Sequence, residues 1–142
     1  MYDIYGRNGE KIMLLDELKI EQDDLKVGDV VYTSHHPNIG VWVSFRYSKM
    51  RKEVIQRITP KRTKIVTDYG EYTNHDHFYK MTDELKKQSE IAEAAENICD
   101  DLAKIDQFIK KHSYKGIRDE DMLNIKDHMN AVRKILDSYE QE

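Results

Sequence analysis

The middle of the chain alternates apolar and polar residues with the period of two that β-strands show. In the segment 39–47, IGVWVSFRY, Val41, Val43 and Phe45 share one face of an extended chain. This alternation predicts a half-buried strand. Further short runs rich in apolar and β-branched residues are found at 30–32, 54–58, 64–67 and 77–80.

Turn residues separate these runs. Gly28-Asp29 precedes the first run, Pro60-Lys61-Arg62 divides two others, and Tyr69-Gly70 follows. Four or five short strands with frequent turns and no helix between them are typical of a small, strongly bent antiparallel β-barrel. We therefore predict a barrel over residues 26–81.

From about Thr82 the apolar residues follow an α-helical period. The first apolar seam is Ile91, Ala95, Ile98, Leu102, Ile105, Ile109 and His112, and the second is Met122, Ile125, Met129, Val132, Leu136 and Tyr139. Spacings that alternate between three and four residues define the a and d positions of heptads. With a turn at 114–116 and Asp119 as a helix N-cap, they predict an antiparallel helical hairpin. Its expected buried residues are Ile98, Leu102, Ile105, Ile125, Val132 and Leu136.

The first 25 residues give weaker signals. Asn8-Gly9 favours a tight hairpin turn, so a two-stranded ribbon is expected around it. Leu14, Leu15 and Leu18 indicate one helical turn or an apolar plug. The predicted fold is α+β, with an N-terminal hairpin and short helix at 1–25, the small antiparallel β-barrel at 26–81 and the helical hairpin at 82–142.

Composition narrows the class of protein. The chain has 142 residues and a formal net charge of −4, and we expect neither a membrane span nor a signal peptide. A single cysteine, Cys99, excludes an intrachain disulfide and favours a reducing compartment. The expected location is the cytoplasm.

Charge is distributed unevenly, and one segment is strongly basic. Residues 46–64 contain a single acid, Glu53, while residues 31–80 as a whole carry four acids and nine bases. The predicted partner-binding residues are Arg46, Lys49, Arg51, Lys52, Arg57, Lys61, Arg62, Lys64 and the aromatic Trp42. Lysine and arginine beside aromatic side chains can bind nucleic acid. Alternatively, these bases protect strand edges from pairing, or bind an acidic partner or the protein's own acidic helices.

No catalytic signature is found, and we predict no catalytic residue, no cofactor and no metal. His75-Asp76-His77, on an extended segment, would place both imidazoles on one face, with His35-His36 able to approach them. That spacing matches no standard zinc site. Cys99 has Asp100 and Asp101 beside it, which disfavours a thiolate, so a packing role is expected.

The segments LKVGDVVY (25–32) and VIQRITPKRTKIVTDYG (54–70) resemble the small SH3-like β-barrel proteins of phages and mobile elements. The resemblance covers roughly residues 26–81, and it implies the cytoplasm of the host cell as the location if a phage encodes the protein. It implies a non-enzymatic accessory protein that inhibits a host protein or nucleoprotein by covering a surface, as counter-defence (anti-CRISPR-like) proteins do. Two alternatives remain open: direct nucleic-acid binding through the basic barrel face, and a dimerisation module that forms a homodimer through the helices.

Overall fold

The computed structural model describes residues 4–5, 11–12, 15–40, 44–113 and 116–140, and shows an α+β fold. Residues 1–99 and 100–142 form two compact units. The strands are β1 (Ile4–Tyr5), β2 (Lys11–Ile12), β3 (Val30–His35), β4 (Lys49–Ile58), β5 (Lys64–Thr67) and β6 (Glu71–Thr73). Two long helices follow, α1 (Asp83–His112) and α2 (Asp119–Glu140). Among the described residues, no helix is long and apolar enough to cross a membrane.

The main sheet has four antiparallel strands in the order β3-β4-β5-β6. β4 is the longest, and it pairs first with β3 and then, after a bulge between Ile55 and Arg57, with β5. A bulge bends its strand and increases the local twist. The sheet therefore curls into a half-barrel.

The segment that follows β6 returns to the other edge of this sheet. The amide of Tyr79 donates to the carbonyl of Tyr32 in β3 at 2.9 Å, and the amide of Tyr32 donates back at 3.1 Å. On the other side of Tyr79, the amide of Lys80 donates to the carbonyl of Leu18 at 2.9 Å. The β3 edge of the sheet is thus covered by backbone pairing, which gives hydrogen-bond partners to backbone groups that would otherwise lack them.

The core lies inside the curl. It is an apolar cluster whose members are at most 1% exposed: Leu25, Val31, Ile55, Ile65 and Phe78. Successive side chains of a strand point to opposite faces, so Val31, Ile55 and Ile65 enter the core from three neighbouring strands. Phe78 adds an edge-to-face contact with Tyr72, with ring centroids 5.2 Å apart.

The turn between β4 and β5 is held in place by Arg62. This residue has a positive φ of 58°, which is uncommon for a residue with a side chain. Its guanidinium donates to the carbonyl of Leu25 at 3.0 and 3.2 Å and to that of Asp23 at 3.1 Å. The turn predicted at Pro60-Lys61-Arg62 is confirmed, and its arginine fixes the segment before β3.

Two strand predictions are wrong. The described residues of segment 39–47 are not in a strand, and β4 begins later, at Lys49; Trp42 lies outside the described residues. The strand predicted at 77–80 is replaced by β6 at Glu71–Thr73, with Tyr79 making isolated bridges to Lys19 and Tyr32. An alternating pattern of apolar and polar residues is not sufficient for a strand, because a strand also needs a neighbouring strand to pair with.

The N-terminal ribbon consists of β1 and β2, which pair antiparallel with Ile4 opposite Ile12. The turn residues Asn8-Gly9 lie outside the described residues. A short 3-10 helix, Leu15–Leu18, follows at the position where one helical turn was expected, and a second, Gln22–Asp24, precedes β3.

Both predicted helices are present, but their seam is largely uncovered. The amide of Leu85 donates to the Oγ1 of Thr82 at 3.1 Å, which caps α1. Of the residues expected to be buried, Ile98, Leu102, Val132 and Leu136 are 58%, 45%, 41% and 56% exposed, and Ile105 and Ile125 are half-buried. The prediction of a closed helical core is therefore wrong. A heptad pattern identifies the apolar face of a helix but not what covers it.

Candidate functional site

A buried carboxylate lies at the centre of the curled sheet. Glu53 of β4 is fully buried. It occupies the same face of its strand as Ile55, and Thr33 of β3 and Thr67 of β5 are also buried on that inner face. The register places Val31 opposite Glu53 and Thr67 opposite Ile55, which brings both threonines beside the carboxylate. The strand period thus creates a polar layer next to the apolar core.

Four side chains donate hydrogen bonds to this carboxylate. The hydroxyl of Thr33 donates to Oε2, and the hydroxyl of Thr67 donates to Oε1 at 2.5 Å. The Tyr72 hydroxyl lies 2.9 Å from each oxygen, and Nε of Arg51 is 3.4 Å from Oε2. A buried carboxylate is tolerated only when it is paired and hydrogen-bonded in this way.

These donors keep Glu53 ionised. Burial raises the pKa of Glu53, but the hydrogen bonds from Thr33, Thr67 and Tyr72 and the charge of Arg51 together lower it below its usual value. Burial and the neighbouring carboxylate raise the pKa of the Tyr72 hydroxyl. The site therefore holds a negative carboxylate, a neutral phenol and a positive guanidinium around neutral pH.

Arg51 links the buried carboxylate of Glu53 to the protein surface. Its Nη2 donates to the Tyr72 hydroxyl at 3.2 Å, and its guanidinium carbon lies 4.0 Å from the centroid of the Tyr69 ring. Its side chain is 37% exposed. A guanidinium fixed by a carboxylate, a phenol and an aromatic face loses little conformational freedom when it binds a ligand.

Arg51 lines a groove of about 410 Å³ on the protein surface. The groove residues are His35, Lys49, Met50, Arg51, Lys52, Tyr69, Ser89 and Glu93. Burial and the charge of Arg51 lower the pKa of His35. Because the Thr33 hydroxyl gives its proton to Glu53, the Nε2 of His35, 2.7 Å away, must carry a hydrogen and donate to Thr33.

The first half of α1 forms the other wall of the groove. The Oγ of Ser89 accepts from the amide of Met50 at 2.8 Å. Glu96 accepts from Nζ of Lys49 at 2.8 Å and from the amide of Asn38 at 2.6 Å, and these bonds lower its pKa. Lys49 is thus neutralised by its own chain, while the more exposed Lys52 has its charge available to a ligand.

The fold separates the predicted partner-binding residues. Lys49, Arg51 and Lys52 meet in the groove. Arg62 is used in the turn, Lys64 pairs with Glu71 at 3.3 Å, and Arg46 lies over the rings of Phe45 and Tyr47. Arg57 and Lys61 are exposed elsewhere on the sheet and its turn.

The histidine segment does not have the predicted geometry. Residues 74–76 form a turn closed by Asp76, whose Oδ2 accepts from the amide and hydroxyl of Thr73 at 2.8 and 3.2 Å. His35, His75 and His77 border a small cavity of about 220 Å³. Within the described part of the chain, no three or more histidine, cysteine or carboxylate side chains are grouped so as to hold a metal ion. Cys99 is half-buried, with its thiol 3.7 Å from the carbonyl of Ile39.

Sequence reasoning missed the central residue of this site. In the sequence, Glu53 stands out only as the single acid of a basic stretch, although it lies on the same face of an extended strand as Ile55. An acid on the apolar face of a strand, with a threonine on the inner face of each neighbouring strand, is a signal that could have identified it. His35, Tyr69 and Ser89 come from distant parts of the chain and reach the groove only through the fold.

The groove offers an anion the guanidinium of Arg51 and the exposed ammonium of Lys52, beside the carboxylate of Glu93. A planar guanidinium can donate two parallel hydrogen bonds to a carboxylate or phosphate, and a nearby lysine adds a mobile charge. No protein-family model, curated protein or solved structure matches the chain.

Proposed function

We propose that the protein is a non-enzymatic binding module that docks an acidic group of a protein or nucleoprotein partner in the groove beside Glu53. The observation that carries this proposal is the guanidinium of Arg51, held by Glu53, Tyr72 and Tyr69 at the groove wall. A preorganised cation binds a ligand more tightly because its side chain loses little conformational entropy on binding.

The distribution of the bases favours a protein surface over a nucleic-acid backbone. Only three of the predicted basic residues meet in the groove, and one of them, Lys49, is paired with Glu96. Binding to a nucleic-acid backbone depends on many cations that follow a line of phosphates. A groove with one fixed guanidinium and one free lysine suits a single carboxylate or a short acidic segment.

Direct nucleic-acid binding remains the second candidate because the exposed Arg57 and Lys61 add positive charge elsewhere on the sheet. If the bases of the whole sheet acted together, affinity would depend on all of them and would fall steeply with salt.

The biological role that we propose is inhibition by occlusion. A curled antiparallel half-barrel supports, but does not identify, an SH3-like barrel of the type found among phage accessory proteins. In that role the module would cover a surface of a host protein or nucleoprotein, as a counter-defence protein does.

A pair of charge-reversal variants tests whether the groove binds the partner. Lys52→Glu places a negative charge at the groove, whereas Lys61→Glu makes the same change on an exposed turn outside it. We expect Lys52→Glu to reduce capture of the partner from a host lysate at least ~10-fold, because like charges at an interface cost several kcal/mol, and Lys61→Glu to leave capture near wild type.

Captured proteins are to be quantified by mass spectrometry, with unfolding temperatures confirming that both variants fold. Equal capture by wild type and Lys52→Glu would refute the groove as the binding surface. Equal loss in both variants would favour a diffuse basic surface and hence the second candidate.

A further inference from the structure

The first half of β4 has a neighbouring strand on one side only. β4 comprises ten residues, and β3 pairs with residues 49–54 of it. The pairing with the shorter β5 begins at Ile55. The beginning of β4 therefore extends beyond the end of β5, and residues 49–52 of this segment line the groove beside Glu53.

The hydrogen bonds of β3 show which way the backbone of Lys52 points. Lys52 lies opposite Tyr32 in the register. The amide of Tyr32 donates to the carbonyl of Tyr79, and its carbonyl accepts from the amide of Tyr79, on the side away from β4. Tyr32 and Lys52 are therefore one of the non-hydrogen-bonded pairs that alternate along an antiparallel ladder. It follows that the amide and the carbonyl of Lys52 point away from β3.

On both sides of Lys52 this second edge of β4 is capped by a side chain. The amide of Met50 donates to the Oγ of Ser89 at 2.8 Å, and the amide of Val54 donates to the Oδ1 of Asp68 at 2.8 Å. Backbone groups alternate between the two edges of a strand, so Met50 and Val54 confirm the direction of Lys52. Within the described ranges of the chain, no residue gives the amide or the carbonyl of Lys52 a hydrogen-bond partner.

We propose that an extended acidic segment of the partner adds to β4 at Lys52 as a short extra strand. Unpaired backbone groups at a strand edge can pair with another chain. An added strand obtains affinity from main-chain hydrogen bonds and specificity from its alternate side chains. This inference rests on the proposed function, because the same groove binds the acidic group, and it adds the conformation of the bound segment. The partner segment is a loop or a chain terminus rather than a helix, whose amides and carbonyls already bond to each other.

The side chains of the added strand meet the two groove cations in turn. Residues that lie opposite each other in neighbouring strands place their side chains on the same face of the sheet. An acid opposite Lys52 therefore shares the face of its ammonium, and the next residue of the added strand shares the other face with Arg51. Two consecutive acids thus fit the site. Because Ser89 and Asp68 already accept from the amides on both sides, the new ladder is short.

Amide hydrogen exchange, measured by NMR, gives the first test. In the free protein, the amide of Lys52 should exchange at least ~10-fold faster than the amides of Arg51 and Glu53, which the register directs to β3. The probe is a capped peptide with the sequence Ser-Thr-Glu-Glu-Thr-Ser. At ten times its dissociation constant, exchange at Lys52 should slow roughly ten-fold, because only the unbound fraction exchanges. Exchange at Lys52 that stays as fast in the complex would overturn the strand addition.

N-methylation of the peptide gives the second test and leaves the protein unchanged. A methyl group on the backbone nitrogen of one glutamate removes its N–H but keeps every charge. Since successive amides of an extended strand point to opposite sides, methylation of one glutamate should weaken binding at least ~10-fold, and methylation of the other, the matched control, should change it less than about two-fold.

The outcomes of the peptide test separate this inference from the proposed function. Equal affinities of the two methylated peptides, with binding still abolished by Lys52→Glu, would overturn the strand addition and leave the acidic-group groove in place. Failure of the unmodified peptide to bind at all would overturn the proposed function and this inference with it.

Discussion

Glu53→Ala is expected to lower the free energy of unfolding by about 3–5 kcal/mol, the range measured when one partner of a buried ion pair is removed. The substitution leaves Thr33, Thr67 and Tyr72 without the acceptor to which they donate, and it leaves Arg51 without its counter-ion. Each buried donor that loses its acceptor incurs a desolvation cost. Urea denaturation followed by circular dichroism measures the change.

Glu71→Ala is the matched control for Glu53→Ala. Glu71 is also a glutamate of the sheet with a cationic partner, Lys64, but both side chains of that pair are more than half exposed. Surface pairs of this kind contribute about 0–1 kcal/mol, so this control should stay close to wild type. If both variants lost the same small amount of stability, Glu53 would not be the centre of a buried network.

The same carboxylate gives stability a defined pH dependence. The pKa of Glu53 is lower in the folded protein than its usual value, so the unfolded chain binds the proton more tightly. This contribution is fully present above the unfolded pKa of about 4.3 and is lost as the pH falls through the folded pKa. The pKa of Glu96 is also lowered. The comparison of wild type with Glu53→Gln therefore isolates the contribution of Glu53 to the pH dependence of the unfolding free energy.

Unfolding free energies between about pH 6 and pH 3 should fall more steeply for wild type than for Glu53→Gln. Parallel curves for the two proteins would show that Glu53 has the same pKa in the folded and unfolded chains.

Phe78→Ala should cost about 3–5 kcal/mol, as large-to-small changes of buried aromatic residues do. Phe78 is 1% exposed, and its ring packs in the cluster that joins β3, β4 and β5 to the returning segment. Removal of the ring leaves a cavity and also removes its edge-to-face contact with Tyr72. Tyr72 in turn donates to Glu53, so the apolar and polar parts of the core share this contact.

Phe108→Ala provides the comparison for Phe78→Ala. Phe108 is 46% exposed and packs against the ring of His112, with centroids 4.7 Å apart. Its loss should cost less than about 1 kcal/mol, because exposed positions lose little transfer free energy. A cost for Phe78→Ala no greater than that for Phe108→Ala would contradict the position of the core inside the curled sheet.

Long periodic patterns were the most reliable part of the sequence. The seams of α1 and α2 repeat over several heptads, so the helices and the acidic start of α2 at Asp119 could be predicted. The β4–β5 turn was also predictable, since proline and charged residues separate two β-branched runs.

Features that depend on distant neighbours could not be predicted. The segment 39–47 alternates well, whereas Lys49–Glu53 is mostly charged, yet β4 begins at Lys49 because β3 pairs with it. The exposure of Leu102 and Leu136 depends on which surface faces them, and a helix pattern carries no information on this. The groove brings His35 and Ser89 to Arg51 from far along the chain, so only the fold reveals it.

The most direct test of the central claim, that the groove beside Glu53 binds an acidic group of a protein, is a fluorescence-anisotropy titration at two salt concentrations. The probes are a labelled glutamate-rich peptide and a labelled single-stranded oligonucleotide of equal charge, measured with wild type, Lys52→Glu and Lys61→Glu. The account predicts that the peptide binds more tightly, that Lys52→Glu abolishes its binding and that Lys61→Glu leaves it unchanged. Oligonucleotide binding should stay in the non-specific range of ~10⁻⁴–10⁻⁶ M. Tighter, steeply salt-dependent binding of the oligonucleotide, weakened equally by both variants, would contradict the account.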